Sequence, residues 1–242
     1  MGKMDLTGKT AMIIGAGRGI GCAVAELLSR DGANLVLAAR SENELLELEY
    51  KLSSRDNTEV LALATDVTKA VDVEHLVDET VKRFASIDYL IYAAGIGVLK
   101  PFAELTIEDF DRMIDVNTRG AFFTLKAVLP VMERQKSGRV IALPGILGRA
   151  PMVNASGYSA AKYALTGMLK CLALEYKRAG IKFSLMHLGG VDSSFWDNIT
   201  MRVQRDKMLT IETAANAVYF AVTQPDEGVL GELVLQPESH QM

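Results

Sequence analysis

The chain has 242 residues, a formal net charge of −4 and 49% hydrophobic residues, which fits one large domain spanning residues 1–242. The mild negative charge argues against a nucleic-acid partner, no apolar run is long enough to cross a membrane, and the N-terminus lacks the apolar core of a signal peptide. Three scattered histidines without a Cys/His cluster argue against a metal site. The two cysteines, Cys22 and Cys171, lie in predicted helices, and we interpret them as small buried hydrophobic residues of a cytoplasmic protein.

The first forty residues predict a strand, a glycine turn, a helix and a second strand. Residues 10–14 are short and apolar, as is typical of a buried strand. Apolar residues at helical spacing follow the glycines, Asp31-Gly32 ends that helix, and residues 34–39 form the next apolar strand. A glycine turn between a strand and a helix allows backbone N–H groups to approach a pyrophosphate closely.

After Arg40 the pattern alternates between strand and helix to the end of the chain. The predicted strands are residues 59–64, 87–93, 139–143, 181–187 and 230–235, and the helices are 42–54, 69–84, 106–133 with a bend near Pro130, 158–177 and 211–223. Residues 193–209 are polar and irregular, and we interpret residues 188–210 as a substrate lid. Seven strands separated by six helical segments predict an α/β fold with a doubly wound, mostly parallel sheet, in which ligands bind beyond the carboxyl ends of the strands.

The spacing of the glycines limits the class of ligand that the turn can bind. Gly15, Gly19 and Gly21 match G-x-x-x-G-x-G, whereas G-x-G-x-x-G does not fit and no Gly-Lys-Ser/Thr follows as in a P-loop. The second strand ends at Arg40, where sites for NAD(H) usually carry an acid. An arginine there, with Arg18 in the turn, suits a 2′-phosphate and predicts NADP(H). The alternative is NAD(H), with Glu42 binding the ribose.

Tyr158 and Lys162 form the candidate catalytic pair. They lie four residues apart in a predicted helix, so their side chains share one face. A nearby ammonium group lowers the pKa of a tyrosine, and such a tyrosine can exchange a proton with a carbonyl oxygen. Lys162 can also hydrogen-bond a ribose hydroxyl.

Together the motifs resemble the short-chain dehydrogenase/reductase family, and bacterial 3-oxoacyl-carrier-protein reductases in particular. The similarity covers essentially the full length and includes Ala93-Ala94-Gly95, Asn117 in VNTRGAF, Tyr158 to Lys162 in YSAAK, and GGVDS from Gly189. It implies a three-layer Rossmann fold, adenine binding by Asp66, and a water held by Asn117 that links Lys162 to solvent. It also implies a cofactor site made of Gly15, Arg18, Gly19, Ile20, Arg40, Asp66, Val67, Ala93, Gly95, Tyr158, Lys162 and Val191.

The chain departs from the family at an important position. The family has a serine thirteen residues before the tyrosine, and here that position is Gly145. The serine hydroxyl holds the substrate oxygen, and losing one such donor typically costs about 10²–10³ in rate. A water, Asn154, Ser156 or Ser194 are the candidate replacements, although Ser156 is so close to the helix start that capping suits it better. Two milder changes are Tyr92 in place of an asparagine and Leu188 in place of a proline.

We therefore expect an NADP(H)-dependent oxidoreductase that interconverts an apolar ketone and its alcohol, with Tyr158, Lys162 and Asn117 as catalytic residues. The alternative is a catalytically impaired family member that binds the cofactor as a sensor or structural partner. Apolar residues on more than one face of the helices at 106–133 and 158–177 predict a homodimer or homotetramer. The apolar side chains of the lid are Phe195, Trp196, Met201 and Met208.

Overall fold

A computed structural model describes residues 4–56, 58–199 and 201–239 of the chain. Over these residues the strands are Thr10–Ile14 (β1), Asn34–Ala39 (β2), Val60–Ala64 (β3), Tyr89–Tyr92 (β4), Gly138–Ala142 (β5), Ile181–Leu188 (β6) and Glu232–Leu235 (β7). The α-helices are Gly19–Arg30 (α1), Glu42–Asp56 (α2), Ala70–Phe84 (α3), Ile107–Ile114 (α4), Gly120–Gln135 (α5), Ser156–Glu175 (α6) and Ile211–Val222 (α7).

The seven strands form one sheet in the order β3-β2-β1-β4-β5-β6-β7, and every neighbouring pair is parallel. The predicted doubly wound α/β fold is therefore confirmed. After β3 the chain crosses to the other half of the sheet, so that the strand order reverses between the adjacent strands β1 and β4. Such a reversal of strand order leaves a crevice at the carboxyl ends of the two strands, where ligands bind in open α/β sheets.

Side chains alternate between the two faces of the sheet, as the pleat of a strand requires. In β1, Ala11 and Ile13 pack with the buried residues of α1, α2 and α7. Met12 and Ile14 point the other way, into the cluster formed with α3, α5 and α6. The sheet is therefore the middle of three layers, and its strands are apolar on both faces, which explains why they appear in the sequence as continuous apolar runs.

The long helical region contains an interruption at a different place from the one that we predicted. We predicted a bend near Pro130, but no break occurs there: Gly120–Gln135 is one α-helix that contains Pro130. The α-helical pattern is instead interrupted by a π-helical turn at Asp115–Arg119. There the Asn117 side-chain amide donates to Met113 O at 2.8 Å, and the Tyr92 hydroxyl of β4 donates to Val116 O at 2.8 Å. These bonds come from side chains, so helix propensity could not reveal them.

The cysteines differ from the expectation in one respect. Cys22 is half-buried in α1, but Cys171 is exposed on α6, so the prediction that both are buried was wrong for Cys171. Cys171 belongs to the helix face that points away from the sheet. Among the described residues no group of three or more potential metal ligands is present, and no helix has the length and hydropathy needed to span a membrane.

Candidate active site

A cleft of about 920 Å³ opens beyond the carboxyl ends of the strands. Its volume suits a cofactor-sized ligand. The structure brings to this one cleft all the residues that the sequence predicted to contact the cofactor, namely Gly15, Arg18, Gly19, Ile20, Arg40, Asp66, Val67, Ala93, Gly95, Tyr158, Lys162 and Val191.

The glycine turn forms a cradle in which two glycines, Gly15 and Gly21, leave no room for a Cβ atom. Gly15 has φ +88°, and a Cβ added to it would lie 2.7 Å from Ala94 N. A Cβ added to Gly21 would lie 2.2 Å from Gly15 O. No side chain caps the start of α1, and its first turn contains no acid. The first N–H groups of the helix are therefore available to an anion, so the turn fits a pyrophosphate.

The rim of the cradle carries charges of both signs. Arg18 and Arg40 line the cleft and are exposed. Glu42, the alternative ribose ligand, does not line it, whereas Glu44 does. The Glu44 carboxylate lies over the turn, with Oε2 2.6 Å from the position of a Cβ on Gly17. Sequence reasoning missed Glu44. The signal in the sequence was its position three residues after Ser41, the spacing of a helix capping box.

Asp66 presents one carboxylate oxygen to the cleft. Its Oδ1 accepts hydrogen bonds from Thr68 N at 3.0 Å and Thr68 Oγ1 at 2.8 Å. Burial raises the pKa of this carboxyl, but the bonds from Thr68 and the charges of Lys69 and Arg40 outweigh burial and hold the pKa below its usual value. Asp66 is therefore an anion at neutral pH, and its Oδ2 is not engaged by these bonds. An anion there can accept a hydrogen bond from an amino group such as that of adenine.

Asn117 and Lys162 meet behind Gly95. The Asn117 amide nitrogen donates to Ile96 O and Met113 O, both at 2.8 Å. Its Oδ1 is buried and has no hydrogen-bond partner among the residues that the structure describes. A Cβ added to Gly95 would lie 2.8 Å from Asn117 Oδ1 and 3.1 Å from Lys162 Nζ, so both atoms border the same small space. Because a buried acceptor without a partner is costly, this space suits a water molecule that bonds to both side chains.

Tyr158 lies at the same end of the cleft, with Lys162 Nζ 5.6 Å from its ring centre. Lys162 Nζ donates to Leu143 O at 3.1 Å, and burial lowers the pKa of this lysine to about 8. Burial raises the pKa of Tyr158 above its usual value. This direction is opposite to our expectation, because burial of the phenol is the cause of the shift and the charge of Lys162 does not offset it.

The sequence matches the family model described as short chain dehydrogenase over residues 9–204. The chain belongs to the short-chain dehydrogenase family. It is 34% identical over 232 residues to an uncharacterized oxidoreductase of Staphylococcus aureus, covering 96% of this chain and 98% of the relative. A relative from Staphylococcus saprophyticus, also described as an uncharacterized oxidoreductase, is 31% identical over 234 residues, covering 97% and 99%.

Several solved structures have the same fold as this chain. An alcohol dehydrogenase from Thermococcus sibiricus, in complex with 5-hydroxy-NADP, has a TM-score of 0.90 and 30% identity, covering 97% of this chain and 98% of that one. A metagenomic short-chain oxidoreductase in complex with NADP has a TM-score of 0.83 and 25% identity, covering 96% and 98%. Levodione reductase has a TM-score of 0.89 and 27% identity, covering 97% and 98%.

Gly145 distinguishes this chain from the pattern that the resemblance implies. It lines the cleft with φ +70° and ψ 176°, a region of backbone conformation that is essentially restricted to glycine. Of the candidate replacements for the serine, Ser194 lines the cleft, but Asn154 and Ser156 do not. Ser156 is the first residue of α6 and does not cap it, because the N-cap position is Ala155.

The other two departures from the family pattern make structural contacts in this chain. The Tyr92 hydroxyl is directed to Val116 O and so supports the π-helical turn that carries Asn117. Leu188 extends β6 by pairing with Leu235, and Gly189 N donates to Leu235 O at 2.8 Å. Both substitutions therefore join the cleft wall to neighbouring elements.

The segment that we predicted as a lid covers the end of the cleft that holds Tyr158. Residue 200 of this segment lies outside the described residues. The Phe195 ring is 5.7 Å from the Tyr158 ring, and the Trp196 indole donates to Val191 O at 2.9 Å. Arg205 holds the segment together by donating to Asp192, Asp197 and Ser193 O at distances from 2.5 to 3.1 Å.

Proposed function

We propose that this protein is an NADP(H)-dependent oxidoreductase that interconverts an apolar ketone and its alcohol. The observation that carries the proposal is that Tyr158 and Lys162 line one end of a cleft, with the buried Asn117 Oδ1 close to Lys162 Nζ, while the glycine turn at the other end fits a phosphate. A bound nicotinamide supplies or accepts the hydride. The cleft residues supply everything else: they bind the cofactor, exclude water and move the proton.

The catalytic residues have separate tasks in this proposal. Tyr158 gives its phenol proton to the substrate oxygen during reduction and takes it back during oxidation. The ammonium group of Lys162 favours the phenolate by its charge, since an opposite charge nearby lowers the pKa of a tyrosine. A water between Lys162 Nζ and Asn117 Oδ1 replaces the proton from solvent. The closeness of Asn117 Oδ1 and Lys162 Nζ to the same space beside Gly95 supports this relay.

The substrate half of the cleft favours an apolar ligand. Tyr158 belongs to a hydrophobic cluster with Ile146, Leu147, Leu99 and Trp196. We propose that residues 188–210 act as a lid that brings Phe195 and Trp196 onto the substrate. The names of the structural neighbours, an alcohol dehydrogenase and a reductase of levodione, support carbonyl chemistry. The finer resemblance to 3-oxoacyl-carrier-protein reductases remains a proposal that the same walls support, because they also suit an acyl chain.

The second candidate is a cofactor-binding protein with little turnover, and Gly145 is the observation that favours it. Both candidates predict NADPH binding, which the fluorescence of Trp196, the single tryptophan, can report. Only the enzyme predicts consumption of NADPH with a panel of cyclic and open-chain apolar ketones. Tight NADPH binding without turnover on this panel would favour the sensor.

Replacing Arg40 with glutamine is expected to weaken NADPH binding by roughly 10- to 100-fold while leaving NADH affinity nearly unchanged. Hydrogen bonds to charged groups contribute about 1.5–3 kcal/mol each, and only NADPH has the 2′-phosphate. Titrations of Trp196 fluorescence with both cofactors measure the effect. Glu44→Gln is the matched comparison: removing its negative charge beside Gly17 is expected to tighten NADPH binding. An equal loss of affinity for both cofactors in Arg40→Gln would contradict a 2′-phosphate contact.

We also propose a homodimer or homotetramer. Most of the apolar residues of α5 and α6 that suggested it are covered within the chain, but α6 has an exposed face of small and apolar residues: Ala160, Tyr163, Ala164, Gly167, Cys171 and Leu174. Leu174 is 79% exposed. Sedimentation at micromolar concentration is expected to show a species of two or four times 26.3 kDa. Leu174→Glu should dissociate it, whereas Leu46→Glu on the exposed side of α2 should not. A 26.3 kDa species for the unmodified protein would contradict the proposed homodimer or homotetramer.

A further inference from the structure

A buried histidine lies directly behind the cleft and has no task in the proposed chemistry. His187, in β6, has no exposed surface. Its Nδ1 lies 3.1 Å from Gly145 O, and its Nε2 lies 3.3 Å from Glu232 Oε2 of β7 without the geometry of a hydrogen bond. Because a carbonyl oxygen can only accept, the contact with Gly145 requires the proton on Nδ1. The imidazole therefore lies between Gly145, in the loop after β5, and Glu232 of the edge strand β7.

The Gly145 carbonyl is the start of one wall of the cleft. It also accepts from Gly148 N at 3.1 Å, which closes the short helical turn Ile146–Gly148. On its other side Gly145 N donates to Met186 O at 3.2 Å. Ile146 and Leu147 of this turn pack in the same apolar cluster as Tyr158. The direction of the Gly145 carbonyl thus determines where these two side chains lie beside the reacting groups.

The far end of the same loop, at Arg149, is attached to Glu232. Arg149 Nη1 donates to Glu232 Oε2 at 2.9 Å, and Lys170 of α6 lies 2.6 Å from Glu232 Oε1. His187 therefore contacts the first residue of the loop 145–149, and Glu232 contacts the last. A loop held at both ends by neighbouring strands has few alternative positions, although its own sequence, with glycines at 145 and 148, is permissive.

We propose that His187 is a positioning residue for the reaction: its Nδ1–H holds the Gly145 carbonyl and so fixes the loop 145–149 as the wall of the substrate site. This inference rests on the proposed oxidoreductase function and deepens it. The resemblance implies that a side chain at position 145 orients the substrate. In this chain, the orientation comes from the backbone of the loop, which is held from behind by the imidazole.

Two substitutions of His187 distinguish the role of Nδ1 from that of Nε2. The amide nitrogen of asparagine can replace Nδ1, and that of glutamine can replace Nε2. We expect His187→Asn to keep kcat within about threefold of the unmodified protein, because the donor to Gly145 O remains. His187→Gln is expected to lower kcat by about 10- to 100-fold, since small misplacements of the groups around a substrate have effects of this size. The Kd for NADPH should be unchanged in both variants, because the cradle at Gly15 is distant from the loop in the chain and belongs to other strands.

The experiment is steady-state turnover of a ketone with NADPH for both variants, with amide hydrogen exchange of the loop measured in parallel. A loss of kcat in His187→Gln that His187→Asn rescues supports the proposal, and equal kcat values in the two variants overturn it. If no ketone is turned over, the exchange of the Gly148 amide decides: faster exchange in the glutamine variant alone supports the proposal, and equal exchange overturns it. If the glutamine variant does not fold, the nitrogen chemical shifts of His187 in the unmodified protein decide, since an unprotonated Nδ1 excludes the proposed bond.

Discussion

Replacing Tyr158 with phenylalanine is expected to lower kcat by about 10³-fold while NADPH still binds. General acid–base catalysis by a positioned side chain contributes roughly 10²–10⁴ in rate, and the hydroxyl group is the only part of the side chain that the substitution removes. The ring remains, so its contact with Phe195, 5.7 Å between ring centres, is kept. The measurement is consumption of NADPH, followed by its absorbance, with the best ketone of the panel.

The control lies on α2. Tyr50 is 79% exposed and does not line the cleft. Tyr50→Phe removes the same atom and should keep kcat close to that of the unmodified protein. Equal turnover of Tyr158→Phe and the unmodified protein would contradict the proposed role of Tyr158. NADPH titration of the variant would show that a loss of turnover does not come from a lost cofactor site.

Replacing Gly145 with serine is expected to lower the free energy of unfolding by about 1–3 kcal/mol and not to raise kcat. The φ of +70° and ψ of 176° at this residue disfavour any side chain, and strain of this kind costs about that amount. Steric room is not the obstacle, because the nearest atom to an added Cβ is Leu188 O at 3.6 Å. A serine hydroxyl in this backbone conformation has the Leu188 carbonyl as a nearby acceptor.

Gly145→Ala is the matched variant, because it has the same strain without the hydroxyl. Urea unfolding of both variants should give equal losses of stability, and NADPH consumption should be alike. A kcat in Gly145→Ser that exceeds that of Gly145→Ala by about tenfold or more would show that the hydroxyl reaches the substrate oxygen. In that case the loop would have changed its backbone conformation, and the proposed bond from His187 would be broken in the variant.

Taken together, the two substitutions test whether the chemistry is present and how the chain achieves it without a serine. A loss in Tyr158→Phe with no gain in Gly145→Ser describes an enzyme whose substrate is oriented by the loop itself. Turnover that appears only in Gly145→Ser would instead favour the sensor, since the proton relay would be competent and the unmodified chain would lack only the donor.

Local patterns in the sequence determined most of the fold. Buried parallel strands are apolar on both faces, so the strand at residues 10–14 is visible as an apolar run. The glycine turn was recognisable because close backbone approach at Gly15 and Gly21 leaves no room for a Cβ. Tyr158 and Lys162 were predicted to share a helix face because four residues are about one helical turn. Each of these inferences depends on neighbours in the chain alone.

Tertiary structure decided what depends on contacts between distant segments. The π-helical turn that holds Asn117 forms with a hydrogen bond from Tyr92 of β4, so the interruption lies there and not at Pro130. Glu44, not Glu42, lies over Gly17, in a contact between α2 and the glycine turn that forms only in the folded chain. The direction of the pKa shift of Tyr158 depends on burial by the residues around it. The contact between Gly145, in the loop after β5, and His187 of β6 also depends on tertiary structure and could be seen only in the folded chain.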